Sequence, residues 1–176
     1  MRRLFFLLFV MMVFAGSESM VSGAEPPASV KRPAMLLPAL GEEVPLPKIK
    51  EICEFYGLHE LWQKIERDPP ALPFKSDGCT GWFNDWKGVS LYPAGFLHDL
   101  KYWAGYPGED VERLVADAEL MIDVARLLNS TAMAETMFHG VRVGGNERLN
   151  ASFSWGFGRA GPTKVESPAL GVERKN

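Results

Sequence analysis

The sequence predicts an all-α domain. Apolar residues recur at helical spacing over 48–66, 93–103 and 109–128. Helix-stop and helix-start residues separate these stretches, and no region is rich in strand signals. The connections are short, which favours antiparallel neighbours. The chain has 176 residues, 47% hydrophobic and 23% charged. This is ordinary globular composition, and the length suits one domain.

The elements follow in order. Arg2 and Arg3 precede an apolar run from Leu4 to Ala15, and Ser22 and Ala24 supply small residues after it. This is the pattern of a secretory signal peptide over 1–24, with cleavage expected after Ala24. The run is too short for a bilayer span, which takes about 20 residues, so no transmembrane segment is expected after cleavage. Residues 25–47 hold six prolines and read as an extended tether. A helical domain is expected over 48–158. Its first stretch, 48–66, repeats Ile49, Ile52, Cys53 and Tyr56, then Leu58, Leu61, Trp62 and Ile65. Gly57 weakens the middle and permits two shorter helices, and Pro69, Pro70 and Pro73 end the stretch.

Residues 74–89 mix glycines, aspartates and aromatics without periodicity and read as a structured loop. A helix is expected from about Pro93 to Trp103, with proline suited to its first turn. Gly105, Pro107 and Gly108 break the chain. A longer helix runs from Glu109 to Leu128, with acidic residues at its start and an apolar face of Val111, Leu114, Val115, Ala118, Met121, Ile122 and Ala125. Asn129-Ser130-Thr131 stops it and caps the next helix, which extends to about Val143 and ends at Gly144-Gly145. The aromatic and glycine-rich segment 152–159 is expected to pack irregularly, and 159–176 to form a polar tail.

Loss of residues 1–24 removes two arginines and one glutamate from a chain of formal charge −3, leaving −4. No basic stripe remains, which excludes nucleic acid as a partner. The two cysteines, Cys53 and Cys79, could pair in an oxidising compartment, and the sequence leaves this open.

The chemistry concentrates in AGFLHDLKYWAG, residues 94–105. His98 and Asp99 stand together in an apolar, aromatic stretch, where burial is costly unless each finds a partner. His98 lies about 10 Å before the turn and Asp117 about 13 Å beyond it, at helical rise. The two therefore meet at one level on facing helices. A carboxylate on one imidazole nitrogen fixes the tautomer and leaves the other nitrogen free as a base. Asp99 is rotated by about 100° from His98 and must serve a different object. The candidate is SDGCTG, residues 76–81, where Asp77 adds a carboxylate and Gly78 and Gly81 let carbonyls turn inward. Carboxylates with backbone carbonyls suit Ca²⁺. Zinc fits poorly, because no His/Cys cluster stands at ligand spacing.

His98-Asp99-Leu100-Lys101-Tyr102 matches the H-D-x-x-Y helix motif, and together with Asp117 and Ser76–Thr80 it resembles the secreted phospholipase A2 family, prokaryotic type. The resemblance covers about 74–128. It implies a phospholipase A2-like fold and a Ca²⁺-dependent hydrolase. His98 would be the general base, with Asp117 and Tyr102 hydrogen-bonding its network. Asp99, Asp77 and Gly78 would hold calcium, and a backbone N–H of the 78–81 loop would assist the oxyanion. The implied substrate is the sn-2 ester of a glycerophospholipid, met on a membrane surface or in micelles, and the implied location is secreted or periplasmic. The cysteines that flank HD in animal members are absent, as is their glycine-rich calcium loop. Leu97 and Leu100 put apolar packing in place of that bracing.

Plainer readings stand beside these. Asp77 could be an Asx-turn acceptor, Tyr102 a core aromatic, and Trp82, Phe83 and Trp86 either core or an interfacial patch. His59 and His139 have no partner set. A non-catalytic binding or toxin-like protein of the same fold is the alternative function. A metal phosphohydrolase of the HD type would need an earlier histidine, for which only His59 is placed, and a later Asp than Asp117.

Overall fold

A computed structural model describes residues 35–149 and 151–159, and over them the chain is mostly helical. The expected signal peptide, residues 25–34 and the tail from residue 160 lie outside the described residues. No helix among the described residues is long and apolar enough to cross a membrane.

The expected tether of 25–47 is corrected from Met35 onward, where the chain belongs to the domain. Met35 and Leu37 pack on the main core cluster. The Tyr92 hydroxyl donates to the Pro38 carbonyl at 2.5 Å, and the Gly41 N–H to the Ser76 carbonyl at 2.8 Å. Strand β1 (Glu43–Val44) pairs antiparallel with β2 (Phe74–Lys75), Val44 opposite Phe74. Proline restricts φ and removes donors, but the apolar side chains between the prolines still gain by burial. Pro45 caps helix α1 (Leu46–Tyr56) and Pro47 sits in its first turn, so the helix begins two residues before the expected start.

Gly57 adopts φ 72 and returns its N–H to the Cys53 and Glu54 carbonyls. This left-handed stop divides the 48–66 stretch into α1 and α2 (His59–Arg67). The 74–89 loop contains a hairpin that its aperiodic sequence conceals. Its strands are β3 (Asp85–Trp86) and β4 (Val89–Ser90), joined by Lys87-Gly88 at φ 51 and 82. Such turns favour Asn or Asp in the first position, and lysine there hides the signal.

Three helices follow: α3 (Tyr92–Ala104), α4 (Asp110–Leu128) and α5 (Thr131–Gly144). Ser130 caps α5 by accepting from the Met133 N–H at 3.4 Å. Helix α3 is buried on several sides. Phe96, Leu100, Trp103 and Ala104 join the main cluster with Ile49, Ile52, Ile65 and Phe74. Ala94 shares a second cluster with Leu120, and Tyr102 a third with Ala116. Positions ascending along α3 thus meet positions descending along α4, which is the antiparallel arrangement.

The face of α4 is a correction. Val111, Leu114, Val115 and Ile122 are exposed, while Arg113, Ala116, Asp117, Leu120 and Val124 are buried. The helix turns two charged residues inward because they pair with each other and with α3 and α5, as described below.

Cys53 and Cys79 are free and buried in different clusters. Burial pushes their thiols up to about 12 and about 11, so both stay protonated. Residues 151–159 form turns that close over the end of α3. The Gly156 N–H donates to the Tyr102 carbonyl at 2.8 Å and the Trp155 N–H to the Gly145 carbonyl at 2.9 Å. Arg159, expected to open the tail, belongs to the fold: its Nη1 lies 2.6 Å from Asp68 Oδ2.

Candidate active site

Helix α3 carries His98, Asp99 and Tyr102 on two of its faces. His98 is buried, and its Nε2 lies 2.9 Å from Asp117 Oδ1 on α4. The Tyr102 hydroxyl donates to the same oxygen at 2.6 Å, one turn along from His98. The two rings stack, with centroids 4.2 Å apart. Tyr102 is therefore part of this network as well as of the core. With the Asp117 carboxylate on Nε2, that nitrogen carries the imidazole proton and Nδ1 keeps its lone pair. Nδ1 lies 4.0 Å from Asp99 Oδ1.

Asp117 has no solvent exposure. Its other oxygen, Oδ2, accepts from Arg142 Nη1 at 2.7 Å and lies 3.8 Å from Arg113 Nε. Burial alone would raise the Asp117 carboxyl, but hydrogen bonds from His98, Tyr102 and Arg142 outweigh it and hold the group below the usual carboxylate range. Burial lowers the His98 imidazole below its ordinary value, against an opposing pull from Asp117. Burial and the Asp117 charge raise the Tyr102 hydroxyl. The resting state is an anionic Asp117 beneath a neutral His98.

Asp99 points elsewhere, to the loop. Its Oδ2 accepts from the Ser76 hydroxyl at 2.7 Å, and Ser76 Oγ accepts from the Gly78 N–H at 3.1 Å. Burial is the main cause that pushes the Asp99 carboxyl up to about 8; the Ser76 hydrogen bond opposes it and the Asp77 charge adds to it. Asp77 is exposed and also accepts from the Thr80 hydroxyl, so the turn-acceptor reading holds for one of its oxygens. Gly78 takes φ +80, and its carbonyl packs on Gly95, where a Cβ would stand 2.8 Å from it. That close approach seats the loop on α3 one turn before Asp99.

Three groups at the loop could hold a cation. Asp99, Asp77 and the Gly78 carbonyl offer oxygens only, the donor type that a hard divalent cation takes. No group of three or more His, Cys, Asp or Glu among the described residues could hold a metal ion unaided. Backbone and water oxygens would have to complete any cation's ligand set there.

Two cavities meet at this point. One, of about 290 Å³, is walled by His98, Asp99 and Tyr102 and by apolar side chains that include Trp82, Leu120, Met137, Val141 and Phe153. The other, of about 770 Å³, opens on the far side of Asp99 and Asp77 and is lined by Lys75, Arg148 and Trp155 among others. Phe153 borders both. Trp82 and Trp86 pack on the second core cluster, whereas Phe83 is 56% exposed. His59 and His139 are exposed, and neither is hydrogen-bonded or ion-paired to the His98 group.

Ser76, Gly95, Arg113 and Arg142 escaped the sequence reading. Arg113 stands four residues before Asp117 on the same helix, a spacing that signals a pair. Ser76 lies inside the loop motif. Nothing local marks Arg142. No family model matches the chain, and neither a curated protein nor a solved structure matches it.

Proposed function

We propose that this protein is a secreted or periplasmic, calcium-dependent, phospholipase A2-like hydrolase that cleaves the sn-2 ester of glycerophospholipids. The observation that carries the reading is the division of labour at His98: Nε2 is bound to a buried carboxylate while Nδ1 stays free beside Asp99 at the wall of an apolar cavity. A neutral imidazole held in one tautomer is a general base.

In the proposed reaction His98 Nδ1 takes a proton from a water molecule as that water attacks the ester carbonyl. Asp117 and Tyr102 hold the ring while it carries the positive charge. The same Nδ1 then returns the proton to the departing glycerol oxygen, leaving a free fatty acid and a lysophospholipid. Calcium held by Asp99, Asp77 and the Gly78 carbonyl would supply the positive charge that polarises the ester carbonyl and binds the phosphate. The apolar cavity would take the acyl chain and keep bulk water from the ester. In the loop, the Gly78 and Cys79 N–H groups are taken by Ser76 and Asn84, so the proposed oxyanion donor narrows to Thr80 or Gly81.

The test is fatty-acid release from mixed phospholipid vesicles with and without calcium, with both products identified. Release of fatty acid and lysophospholipid in equal amounts, abolished by chelation, supports the reading. Calcium and vesicle binding without release would transfer it to the non-catalytic binding protein.

A further inference from the structure

We infer that Arg142 is a positioning residue for the His98–Asp117 pair, anchoring Asp117 from the side opposite the imidazole. The inference rests on the hydrolase reading above and concerns a residue that touches neither substrate nor His98.

The two oxygens of Asp117 serve different partners. Oδ1 takes both His98 Nε2 and the Tyr102 hydroxyl. Oδ2 takes Arg142 Nη1 at 2.7 Å. Arg113 does not substitute for this bond: its Nε is 3.8 Å from Oδ2, too far for a hydrogen bond, and has no other partner. A carboxylate is nearly symmetric about its last torsion. Held at one oxygen only, it can tilt or flip, and Oδ1 leaves the plane in which the imidazole N–H meets it. A guanidinium on Oδ2 removes that freedom. Arginine suits the task because its charge is permanent and its planar fork is rigid.

Arg142 is itself held from α4. Arg113 Nη2 donates to the Arg142 carbonyl at 2.6 Å and Nη1 to the Gly145 carbonyl at 3.3 Å. One turn of α4 thus grips the end of α5 through Arg113 and is gripped in return at Asp117 through Arg142. The closed circuit ties Asp117 on α4 to α5, a helix other than the one that carries His98. Arg142 borders neither cavity that meets at His98 and Asp99, so an effect of its loss would travel through Asp117 and not through substrate contact.

The experiment compares the unaltered full chain with Arg142→Gln, Arg142→Lys and Arg142→Ala. It reads kcat and KM for vesicle hydrolysis, and the ¹⁵N resonances of the His98 imidazole. Arg142→Gln is expected to lose about 10²-fold in kcat with KM and calcium affinity within about twofold, the pattern of a displaced catalytic group. Arg142→Lys keeps the charge without the fork and is expected to fold and lose about tenfold. Added guanidinium is expected to restore part of kcat in Arg142→Ala. In the unaltered chain the His98 proton is expected on Nε2, and in Arg142→Gln a mixture of tautomers. Unaltered kcat in folded Arg142→Gln, or in Arg142→Lys if the former does not fold, overturns the inference. So does an unchanged His98 spectrum in the same variant. The spectrum reads the positioning even if the unaltered chain hydrolyses no lipid, so failure of the hydrolase reading is told apart from failure of this one.

Discussion

His98 Nε2 and Asp117 Oδ1 stand 2.9 Å apart across two helices, and the carboxylate has no exposure to water. A buried anion is costly unless paired, and this one is paired four ways, with His98, Tyr102, Arg142 and Arg113. Replacing Asp117 by Asn leaves two guanidinium groups without their counter-charge. The expected cost is about 3–5 kcal/mol of stability, read by denaturant unfolding, beside a loss of activity. An Asp117→Asn protein as stable as the parent would show that the arginines are satisfied elsewhere.

On the proposed reading, the pH dependence of hydrolysis follows from His98. Burial holds its imidazole below the ordinary 6.5. With neutral His98 as the proposed base, kcat/KM is expected to rise with pH through a value below 6.5 and then level off. The stability term has the same sign. The unfolded histidine takes a proton at a higher pH than the folded one, so this residue's contribution to stability is lost as pH falls below 6.5. A rate that falls as pH rises through this range would remove His98 as the base.

Asp99 acts with the opposite sign. Its folded carboxyl is pushed up to about 8 from an ordinary 3.8, chiefly by burial. The folded state therefore binds the extra proton, and without calcium the contribution of Asp99 to stability falls as pH rises from 3.8 through about 8. A cation at Asp99 competes with that proton, so calcium affinity is expected to rise over the same range. Thermal unfolding with and without calcium at pH 5, 7 and 9 checks this. The calcium-induced rise in Tm should grow with pH, and Asp99→Asn should abolish it.

Gly95 is expected to tolerate no side chain. A Cβ there would lie 2.8 Å from the Gly78 carbonyl carbon and oxygen and 3.0 Å from Cys79 Sγ. Gly95→Ala should cost about 1–3 kcal/mol by overpacking and weaken calcium binding, because the loop must lift from α3. Calorimetric titration with calcium is the measurement. Unchanged affinity would mean that the loop's seat on α3 is irrelevant to the cation.

What the sequence made legible was whatever local spacing controls. Helical rise across a short turn was enough to set His98 opposite Asp117. Gly57 and Ser130 marked helix ends by their own chemistry. The inward face of α4 was not legible, because hydropathy puts Val111 and Val115 inside and gives no weight to an ion-pair network that holds Arg113 and Asp117 there. The folding of 35–47 depends on distant partners: Val44 pairs with Phe74, and Tyr92 reaches the Pro38 carbonyl across 54 positions. Arg142 reaches Asp117 across 25 positions, a separation at which no periodicity speaks.

The most direct test of the central claim is the rate of fatty-acid release by His98→Gln beside the unaltered protein, in calcium and on the same vesicles. Glutamine keeps a polar group in place but cannot take the proton. The rate is expected to fall by about 10²–10⁴-fold, the usual worth of a general base, while calcium binding at Asp99 and vesicle binding persist. Hydrolysis at the unaltered rate in His98→Gln would contradict the account.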